Sequence, residues 1–360
     1  MKVLHLHTNL NLSCGISRTI FLIAKNDSEI NEHRIFTLGG DAGPRFNAAG
    51  LNVTFFNINR KGILNTLRIF LSLLKYIGKY NIDLVHSHHR YFDLLTFYLS
   101  KLTKVKSITS VQSLVYRKKG LSYKAPCLIA CSESVKNHLV NYFKLKEDKI
   151  KTIYNFVDLC EVDTKNEEIV SKKKVEASAG SFVICFVGRL NYAEKGVDLL
   201  LNAVRLLNGE YKDILLIIIG DGNNRGDIIG FISKYKINAR VIGPVDKVYD
   251  YYKIADVVVL PSRVEPFGIV TLEAGAAKKI FIGSDGTGIE EVVNHGINGL
   301  LFANSNYEDL AAKIEYVYKN KSELKILGEN LYRDVLSKFS AESVIPQYQK
   351  LYEDVFYGKI

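Results

Sequence analysis

Two glutamates stand close to a predicted junction between a loop and a helix. Glu265 lies in the loop that follows the predicted strand 257–260, and Glu273 lies near the start of the predicted helix 270–277. Between them, Gly268 allows backbone N–H groups to approach a ligand closely. A helix amino terminus attracts anions, and two carboxylates beside it can accept hydrogen bonds from sugar hydroxyls. The alternative is that Glu273 only complements the helix dipole and Glu265 is a solvated loop residue.

Two cations follow the predicted strand 182–187, which ends at Gly188. Arg189 can grip a pair of anionic oxygens, and Lys195 supplies a point charge before the next predicted helix. Together they suit a diphosphate. The alternative is that both are ordinary surface residues of a loop.

Glycines mark two further turns. Gly15 lies between the first predicted strand and its helix, where a glycine can help to cradle a phosphate, although a plain turn explains it as well. The segment Gly220-Asp-Gly222 resembles the start of a dinucleotide fingerprint. Arg225 stands where the third glycine of that fingerprint belongs, so we reject this interpretation.

Short apolar strands alternate with helical patterns along the whole chain, which predicts an α/β protein with parallel sheets. The polar segment 160–180 interrupts this alternation, and we place a domain boundary just before it. The prediction is two doubly wound, Rossmann-like domains, 1–158 and 159–340, with a final helix (about 341–360) returning to the first. We expect a cleft between them, with ligands at the carboxyl ends of the strands.

Composition limits the possible functions. The chain has 360 residues, and 47% of them are hydrophobic and 24% charged, as in globular proteins. Five cysteines without a Cys-x-x-Cys pair argue against a disulfide framework and fit a reducing cytosol. We see neither a secretory signal at the amino terminus nor an apolar run long enough to span a bilayer.

Charge is distributed unevenly. Residues 1–158 carry 23 Lys and Arg against 10 Asp and Glu, a net +13, although the whole chain is only +10. Part of this charge lies on a predicted amphipathic helix with Arg60, Lys61, Arg68, Lys75 and Lys79 beside leucines and isoleucines. Basic amphipathic helices are typical of membrane surfaces. A helix that simply covers the sheet would explain the apolar face but not the charge.

The motifs, taken in order, resemble a known family. Gly-Arg-Leu-x4-Lys-Gly after a strand, Ile-Gly-Asp-Gly, Val-Ile-Gly-Pro-Val and Pro-Ser-x-x-Glu-x7-Glu are similar to those of the retaining glycosyltransferases of family 4. The resemblance covers nearly the whole chain. It implies the GT-B fold and transfer of a sugar from a nucleotide diphosphate to an acceptor hydroxyl, with retention of the anomeric configuration.

The resemblance also implies roles for residues. Arg189 and Lys195 would bind the donor diphosphate, with Gly188 beside them. Glu265 would hold hydroxyls of the donor sugar and Glu273 the ribose. The backbone of Phe267 and Gly268 would approach the sugar and its phosphate, and Gly15 would come near the phosphates.

One segment departs from the family pattern. Family members often carry a histidine in a Thr-x-His segment near the transferred sugar, but the corresponding segment here places Gln112. A glutamine binds a hydroxyl but does not shuttle a proton. His86, His88 and His89, which end the preceding strand, are candidates to line the acceptor side, with His88 the candidate catalytic residue. The alternative is that they only cap the strand.

The resulting hypothesis is a cytoplasmic glycosyltransferase at the inner face of the membrane. It would use a UDP- or GDP-sugar and a glycan or lipid-linked acceptor in bacterial surface polysaccharide synthesis. We expect no metal, no other cofactor and no nucleic-acid partner. The chain lacks the Asp-x-Asp clamp of the other common glycosyltransferase fold. Alternatives are a nucleotide-sugar 2-epimerase, a glycogen-synthase-like enzyme or a non-catalytic glycan-binding protein. Donor, acceptor, linkage and oligomeric state are not determined by the sequence.

Overall fold

A computed structural model describes residues 1–12, 14–58, 62–117, 119–162 and 180–360. The chain forms two compact units: residues 1–155 together with 341–360 (unit 1), and residues 156–340 (unit 2). We predicted a division after residue 158, with a final helix of about 341–360 returning to the first domain; the two compact units divide after residues 155 and 340. Most of the polar segment 160–180 lies outside the described residues, as do Arg60, Lys61 and Lys118.

Unit 1 is built on a sheet of seven parallel strands in the order β3-β2-β1-β4-β5-β6-β7. The strands are β1 (Lys2–His7), β2 (Glu32–Thr37), β3 (Asn52–Phe55), β4 (Leu84–Ser87), β5 (Lys106–Val111), β6 (Cys127–Ala130) and β7 (Ile150–Thr152). The helices are α1 (Gly15–Asn26), α2 (Gly43–Ala48), α3 (Ile63–Tyr80), α4 (Arg90–Leu102), α5 (Glu133–Asn141) and, from the end of the chain, α12 (Ala341–Phe356).

The two faces of this sheet receive different residues. Successive side chains of a strand point to opposite faces, so Leu4 and Leu6 of β1 pack with α3 and α4, for example against Leu73 and Phe92. His5 therefore points to the other face. The register pairs it with His86 of β4, which hydrogen-bonds Tyr352 of α12. This second face is the more polar one.

Unit 2 contains a sheet of six parallel strands in the order β10-β9-β8-β11-β12-β13. The strands are β8 (Phe182–Val187), β9 (Ile214–Ile219), β10 (Ala239–Ile242), β11 (Val257–Leu260), β12 (Ile280–Ser284) and β13 (Leu300–Phe302). The helices are α6 (Tyr192–Lys195), α7 (Val197–Leu207), α8 (Arg225–Tyr235), α9 (Tyr249–Ile254), α10 (Ile269–Ala276) and α11 (Tyr307–Lys338), which is kinked at Asn320.

The strand order explains where ligands can bind in unit 2. Strand β8 lies between β9 and β11, and the chain leaves this centre in both directions, so the loops after β8 and β11 diverge at the carboxyl edge. Such a switch point leaves a crevice at the edge of an open parallel sheet. The loop after β8 carries Arg189 and Lys195, and the loop after β11 carries Glu265.

Candidate functional site

Lys195 and Glu265 form a direct ion pair. The Lys195 Nζ lies 2.5 Å from Glu265 Oε2, and the Ser262 hydroxyl donates to the same oxygen across 3.0 Å. The Lys195 side chain is 22% exposed and that of Glu265 only 8%. The structure therefore brings these two predicted residues together, 70 positions apart in the chain. Glu265 is not a solvated loop residue.

A glycine makes this approach possible. Gly196 ends α6 with φ of +61°, and a Cβ at this position would lie 2.0 Å from the carbonyl oxygen of Pro261. Only glycine fits so close to another backbone. At the other end of α6, Asn191 caps the helix by accepting from the N–H groups of Ala193 and Glu194. The loop after β8 is thus folded back against the loop after β11, with Lys195 at the contact.

An arginine that the sequence analysis did not identify ties the same two loops together. Arg263 donates to both carboxylate oxygens of Asp198, across 2.8 and 2.7 Å, and also to the carbonyl oxygen of Tyr192. The N–H of Val264 donates to the carbonyl of Glu194. Bidentate pairs of this kind fix geometry as well as adding energy. Arg263 is therefore a structural clamp beside Lys195 and Glu265.

Arg189 differs from Lys195. Its side chain is 62% exposed and pairs loosely, at 3.6 Å, with Glu194. Exposed pairs of this kind contribute little energy, so Arg189 can turn toward an anion at small cost. None of the described contacts joins Arg189 to Glu265. Arg189 therefore lies at the surface, as in our alternative interpretation of it as an ordinary surface residue of a loop.

The rejected dinucleotide motif has a packing role instead. A Cβ at Gly220, whose φ is +134°, would lie 2.0 Å from the carbonyl oxygen of Gly188. A Cβ at Gly222 would lie 2.5 Å from that of Leu190. The two glycines allow the chain after β9 to lie directly against the backbone that precedes Lys195. They therefore help to hold the β8 loop in place.

The helix that follows Glu265 begins without a capping side chain. Gly268 occupies the N-cap position of α10 with φ of +89°, and the first turn carries no acidic residue. Phe267 is buried and packs edge-on against Phe339. A Cβ at Gly288 would lie 2.2 Å from the carbonyl oxygen of Pro266. The backbone at Phe267 and Gly268 is held rigidly at this amino terminus, where an anion is attracted.

Glu273 lies deeper than the sequence indicated. It is the fifth residue of α10 rather than one near its start, so it does not complement the dipole of the first turn. It is 5% exposed, and Tyr252 donates to its Oε2 across 2.8 Å. Burial and the Glu273 charge raise the pKa of Tyr252 well above its usual value, so this hydroxyl remains a donor. The sequence analysis missed Tyr252, whose only signal is a cluster of tyrosines before β11.

Burial around Glu273 also affects Cys185 of β8. Burial, with the nearby Glu273 carboxylate, raises the pKa of the Cys185 thiol to about 12. This thiol is therefore protonated and unreactive at neutral pH. It contributes packing rather than nucleophilic chemistry.

The candidate residues of unit 1 occupy several places. Gly15 is exposed and begins α1, after Cys14, whose side chain makes no capping bond. Gln112 is half-buried and follows β5. His89 caps α4, because its Nδ1 accepts from the N–H of Tyr91. His89 thus has the capping role that our alternative described, although at a helix rather than a strand.

His86 and His88 belong to a buried hydrogen-bonded layer. His86 lies between the hydroxyls of Ser110 (2.7 Å) and Tyr352 (2.9 Å). The Nε2 of His88 lies 2.9 Å from Nδ1 of His5. Burial lowers the pKa of His5, His86 and His88 well below 6.5, and the neighbouring imidazoles lower it further. The interpretation that His86 and His88 only cap a strand is wrong.

These three imidazoles are also the one group of described residues whose ligand atoms are close enough for a metal, within 4.8 Å of one another. Both ring nitrogens of His5 and of His86 are already engaged in hydrogen bonds, and the ring centroids of His86 and His88 lie 3.9 Å apart with the rings tilted by 32°. The arrangement fits a hydrogen-bonded layer rather than a coordination sphere.

Acidification should destabilise the protein through these imidazoles. The folded chain keeps His5, His86 and His88 neutral, whereas the unfolded chain protonates them below about pH 6.5. As the pH falls below about 6.5, each of these imidazoles lowers the free energy of unfolding by about 1.4 kcal/mol per pH unit. This loss continues until the pH reaches the lowered pKa of that imidazole in the folded state. Urea denaturation at several pH values between about 7.5 and 5.5 measures this slope.

A matched pair of variants identifies the source of that slope. His5→Asn should reduce the loss of stability on acidification, while His295→Gln, at an exposed imidazole of unit 2, should leave it unchanged. An unfolding free energy that stays constant down to about pH 5.5 would contradict the assignment.

Taken together, the residues of unit 2 can bind an anionic ligand rich in hydroxyl groups. A lysine, an accessible arginine and an uncapped helix amino terminus supply positive potential. Two buried carboxylates, Glu265 and Glu273, supply acceptors for hydroxyls. Arg189 and Glu265 are on loops at the carboxyl edge of the sheet, Lys195 ends the short helix α6 at the same edge, and Glu273 is on the helix that follows Glu265.

Comparisons with known proteins agree with this chemistry. The model of "Glycosyltransferase Family 4" matches residues 15–161, and that of "Glycosyl transferases group 1" matches residues 167–334. An uncharacterized glycosyltransferase of Methanocaldococcus jannaschii is 26% identical over 359 residues, which cover 92% of this chain and 91% of that protein.

Two further similarities concern proteins with a stated role or ligand. The capsular polysaccharide biosynthesis glycosyltransferase CapM of Staphylococcus aureus is 26% identical over 233 residues, covering 62% of this chain and 60% of CapM. The crystal structure of Anabaena HepE in complex with UDP and glucose has a TM-score of 0.87 at 19% identity, covering 98% of this chain and 99% of HepE. At this identity the likeness to HepE concerns the fold.

Proposed function

Since this chain belongs to glycosyltransferase family 4, we propose that it transfers a sugar from a nucleotide diphosphate to an acceptor hydroxyl with retention of configuration. The observation that carries the proposal is the convergence of Lys195, Ser262 and Glu265 beside the uncapped start of α10. This cluster joins a cation for a diphosphate to an acceptor for sugar hydroxyls.

Each residue has a part in the proposed reaction. Arg189 and Lys195 bind the diphosphate, and Lys195 does so while sharing its charge with Glu265. Glu265 accepts from hydroxyls of the donor sugar, and Glu273, held by Tyr252, accepts from the ribose. The backbone at Phe267 and Gly268 approaches the donor sugar and its phosphate.

The chemistry follows from where charge develops. As the bond between the sugar and the diphosphate breaks, negative charge grows on the departing phosphate and the sugar becomes cation-like. Arg189, Lys195 and the α10 dipole stabilise the phosphate, while the Glu265 carboxylate stabilises the sugar. One preorganised contact of this kind typically contributes about 3–4 kcal/mol to the barrier. The reaction then requires no metal, so we expect it to proceed in the presence of EDTA.

The donor and the pathway are proposed from the relatives. HepE binds UDP and glucose, which supports a UDP-sugar, with a GDP-sugar as the alternative. CapM acts in capsular polysaccharide biosynthesis, which supports a glycan or lipid-linked acceptor in bacterial surface polysaccharide synthesis.

A mass-spectrometric assay tests the proposal. The protein is incubated with UDP- and GDP-sugars and with lipid-linked or free glycan acceptors, and products are analysed for an added sugar and its anomeric configuration. Transfer with retention supports the proposal. Conversion of a nucleotide sugar to its 2-epimer without an acceptor would instead identify an epimerase. Growth of a long homopolymer would identify a glycogen-synthase-like enzyme.

We also propose that unit 1 rests on an anionic membrane surface through α3. This helix buries Ile69, Leu73 and Ile77 against the sheet. Four of its other apolar residues are exposed: Ile63 at 89%, Leu64 at 74%, Leu67 at 52% and Leu71 at 48%. The helix therefore carries a second apolar face, with Leu67 and Leu71, in addition to the one that covers the sheet. Exposed Arg68, Lys75 and Lys79 accompany it.

The exposed cations and the exposed apolar residues of α3 support binding of unit 1 to a membrane surface. Each cation near an anionic leaflet contributes about 1 kcal/mol, and the exposed leucines can enter the headgroup region. Among the described residues, none of the helices has the length and hydropathy to cross a bilayer.

Neutralising two of these cations should weaken vesicle binding. The variant Arg68→Gln/Lys75→Gln is expected to lose about tenfold to thirtyfold in partitioning onto phosphatidylglycerol-containing vesicles, measured by sedimentation. Lys212→Gln/Lys234→Gln, which removes two exposed charges from unit 2, is the control and should partition like the wild type. Equal partitioning of all three proteins would remove the membrane proposal.

A further inference from the structure

Four buried side chains of unit 1 form one continuous chain of hydrogen bonds. Asp27 Oδ2 lies 2.9 Å from Nε2 of His33, whose Nδ1 lies 2.8 Å from Nε2 of His5. His5 Nδ1 then lies 2.9 Å from Nε2 of His88. All four residues are 4% exposed or less. The chain runs from the end of α1, across β2 and β1, to the residue that follows β4.

The carboxylate gives this chain a direction. Asp27 receives three N–H donors, because Asn31 and Gln349 donate to it as well as His33. Both carboxylate oxygens of Asp27 already accept from side-chain amides, and we therefore take His33 to donate to Asp27 from Nε2. We take this to be the only ring proton of His33, so that Nδ1 of His33 accepts from the Nε2–H of His5. His5 in turn accepts at Nδ1 from the Nε2–H of His88.

The direction of donation along these hydrogen bonds determines whether Nδ1 of His88 carries a proton. With its proton on Nε2, a neutral His88 presents an unprotonated Nδ1, and this atom is buried without a hydrogen-bond partner. Leaving a buried acceptor without a hydrogen bond costs about 1–3 kcal/mol. The ring nitrogens of His33 and His5, by contrast, all have hydrogen-bond partners. Such an atom indicates a place for a donor that arrives with a ligand.

His88 stands where a ligand of unit 1 would bind. It follows β4 immediately, at the carboxyl edge of the parallel sheet, where ligands of doubly wound sheets bind. The charged or titratable groups that face it are few: His5, His7 and His86. Burial lowers the pKa of His88 well below 6.5, and His86 and His7 lower it further, so that the ring is neutral at pH 7.

We propose that Asp27, His33 and His5 are positioning residues that fix the tautomer of His88, and that His88 Nδ1 accepts a hydrogen bond from a sugar hydroxyl. The inference rests on the proposed glycosyltransferase function. The hydroxyl belongs either to the acceptor or to the donor sugar, and the kinetic experiment below distinguishes the two.

The first experiment measures the tautomer directly. Nitrogen-15 histidine NMR of the full chain, with the signal assigned from a His88→Gln variant, reports which nitrogen carries the proton. At about pH 7.5 we expect His88 to be neutral, with the proton on Nε2. A proton on Nδ1 would overturn the inference, and this outcome does not depend on any enzymatic activity.

The second experiment removes the hydrogen bond between His5 and His88. His5→Leu removes the acceptor for the Nε2–H of His88, so sugar transfer should fall by about tenfold to a hundredfold. His5→Asn places an amide oxygen close to the position of His5 Nδ1 and so restores an acceptor for His88. The rate of sugar transfer should be high in those variants in which NMR finds the His88 proton on Nε2, and low in the others. Tyr352→Phe, which removes a buried hydroxyl from the same layer, is the control and should keep the wild-type rate.

The kinetic pattern identifies the hydroxyl. Loss of transfer with unchanged hydrolysis of the nucleotide sugar assigns it to the acceptor, whereas equal loss of both assigns it to the donor sugar. A folded His5→Leu protein with wild-type transfer would overturn the inference. Failure of the wild type to bind UDP or GDP would instead count against the proposed function and would leave the NMR result standing.

Discussion

Replacing Glu265 with glutamine is expected to reduce sugar transfer by about 10² to 10³ in kcat/KM, with the fold intact. The carboxylate is only 8% exposed and already paired with Lys195 and Ser262, and in the proposed reaction its charge faces the donor sugar as that sugar becomes cation-like. Glutamine keeps the shape and one acceptor oxygen but removes the charge. Steady-state kinetics with the preferred nucleotide sugar measure the loss.

A neighbouring glutamate provides the matched control. Glu290, exposed on the loop after β12, undergoes the same chemical change in Glu290→Gln and should retain wild-type kinetics. Turnover of a folded Glu265→Gln protein within about twofold of the wild type would exclude the role assigned to this carboxylate.

Replacing Lys195 with methionine is expected to raise the donor KM and lower kcat, for a combined loss of about a hundredfold in kcat/KM. Methionine keeps the unbranched shape of the side chain but cannot share a positive charge between the diphosphate and Glu265. Lys234→Met, at an exposed lysine of unit 2, is the control. A donor KM and kcat equal to those of the wild type would remove Lys195 from the site.

The two changes should not be additive. Lys195 and Glu265 contact each other directly, and neighbouring residues in one interaction network show coupling of about 0.5–3 kcal/mol. The double variant Lys195→Met/Glu265→Gln should therefore lose less activity than the product of the two single losses. Full additivity would indicate that the ion pair is irrelevant to the reaction.

Periodicity predicted most of the sheets. In unit 2, β8 and β11 lie at the predicted residues, because buried parallel strands appear in the sequence as continuous apolar runs bounded by polar ones. The two Rossmann-like units and the similarity to HepE confirm the expected GT-B fold.

Other elements were missed for physical reasons. We predicted no helix over Arg90–Leu102, although Phe92, Leu95 and Leu99 have helical spacing. The strands Ile150–Thr152 and Leu300–Phe302 are only three residues long and have little periodicity of their own. Each of them is a strand because it pairs with the neighbouring strand of its sheet, β6 or β12, and this pairing leaves no pattern in the sequence.

The site was predictable in part. The motif order identified Lys195 and Glu265, and the rule for parallel sheets placed them at one edge. Their direct contact depends on Gly196 lying against Pro261, which no spacing reveals. Tyr252 became visible only through its bond to Glu273.

The histidine chain shows the same limit. Single histidines within strands β1 and β2 look like ordinary packing residues, and the sequence analysis did not select His5 or His33. Once the strand order is known, the pairing of His5 with His86 brings the imidazoles together. Sheet register, which the sequence did not define, was therefore the missing information.

Calorimetric titration of the wild type with UDP, GDP and their sugars tests the central claim most directly. We predict saturable binding of at least one nucleotide diphosphate, weakened by about tenfold or more in Lys195→Met and unchanged in Lys234→Met. The absence of binding by all of these ligands, or equal affinity in the two lysine variants, would contradict a nucleotide-sugar site at Lys195 and Glu265.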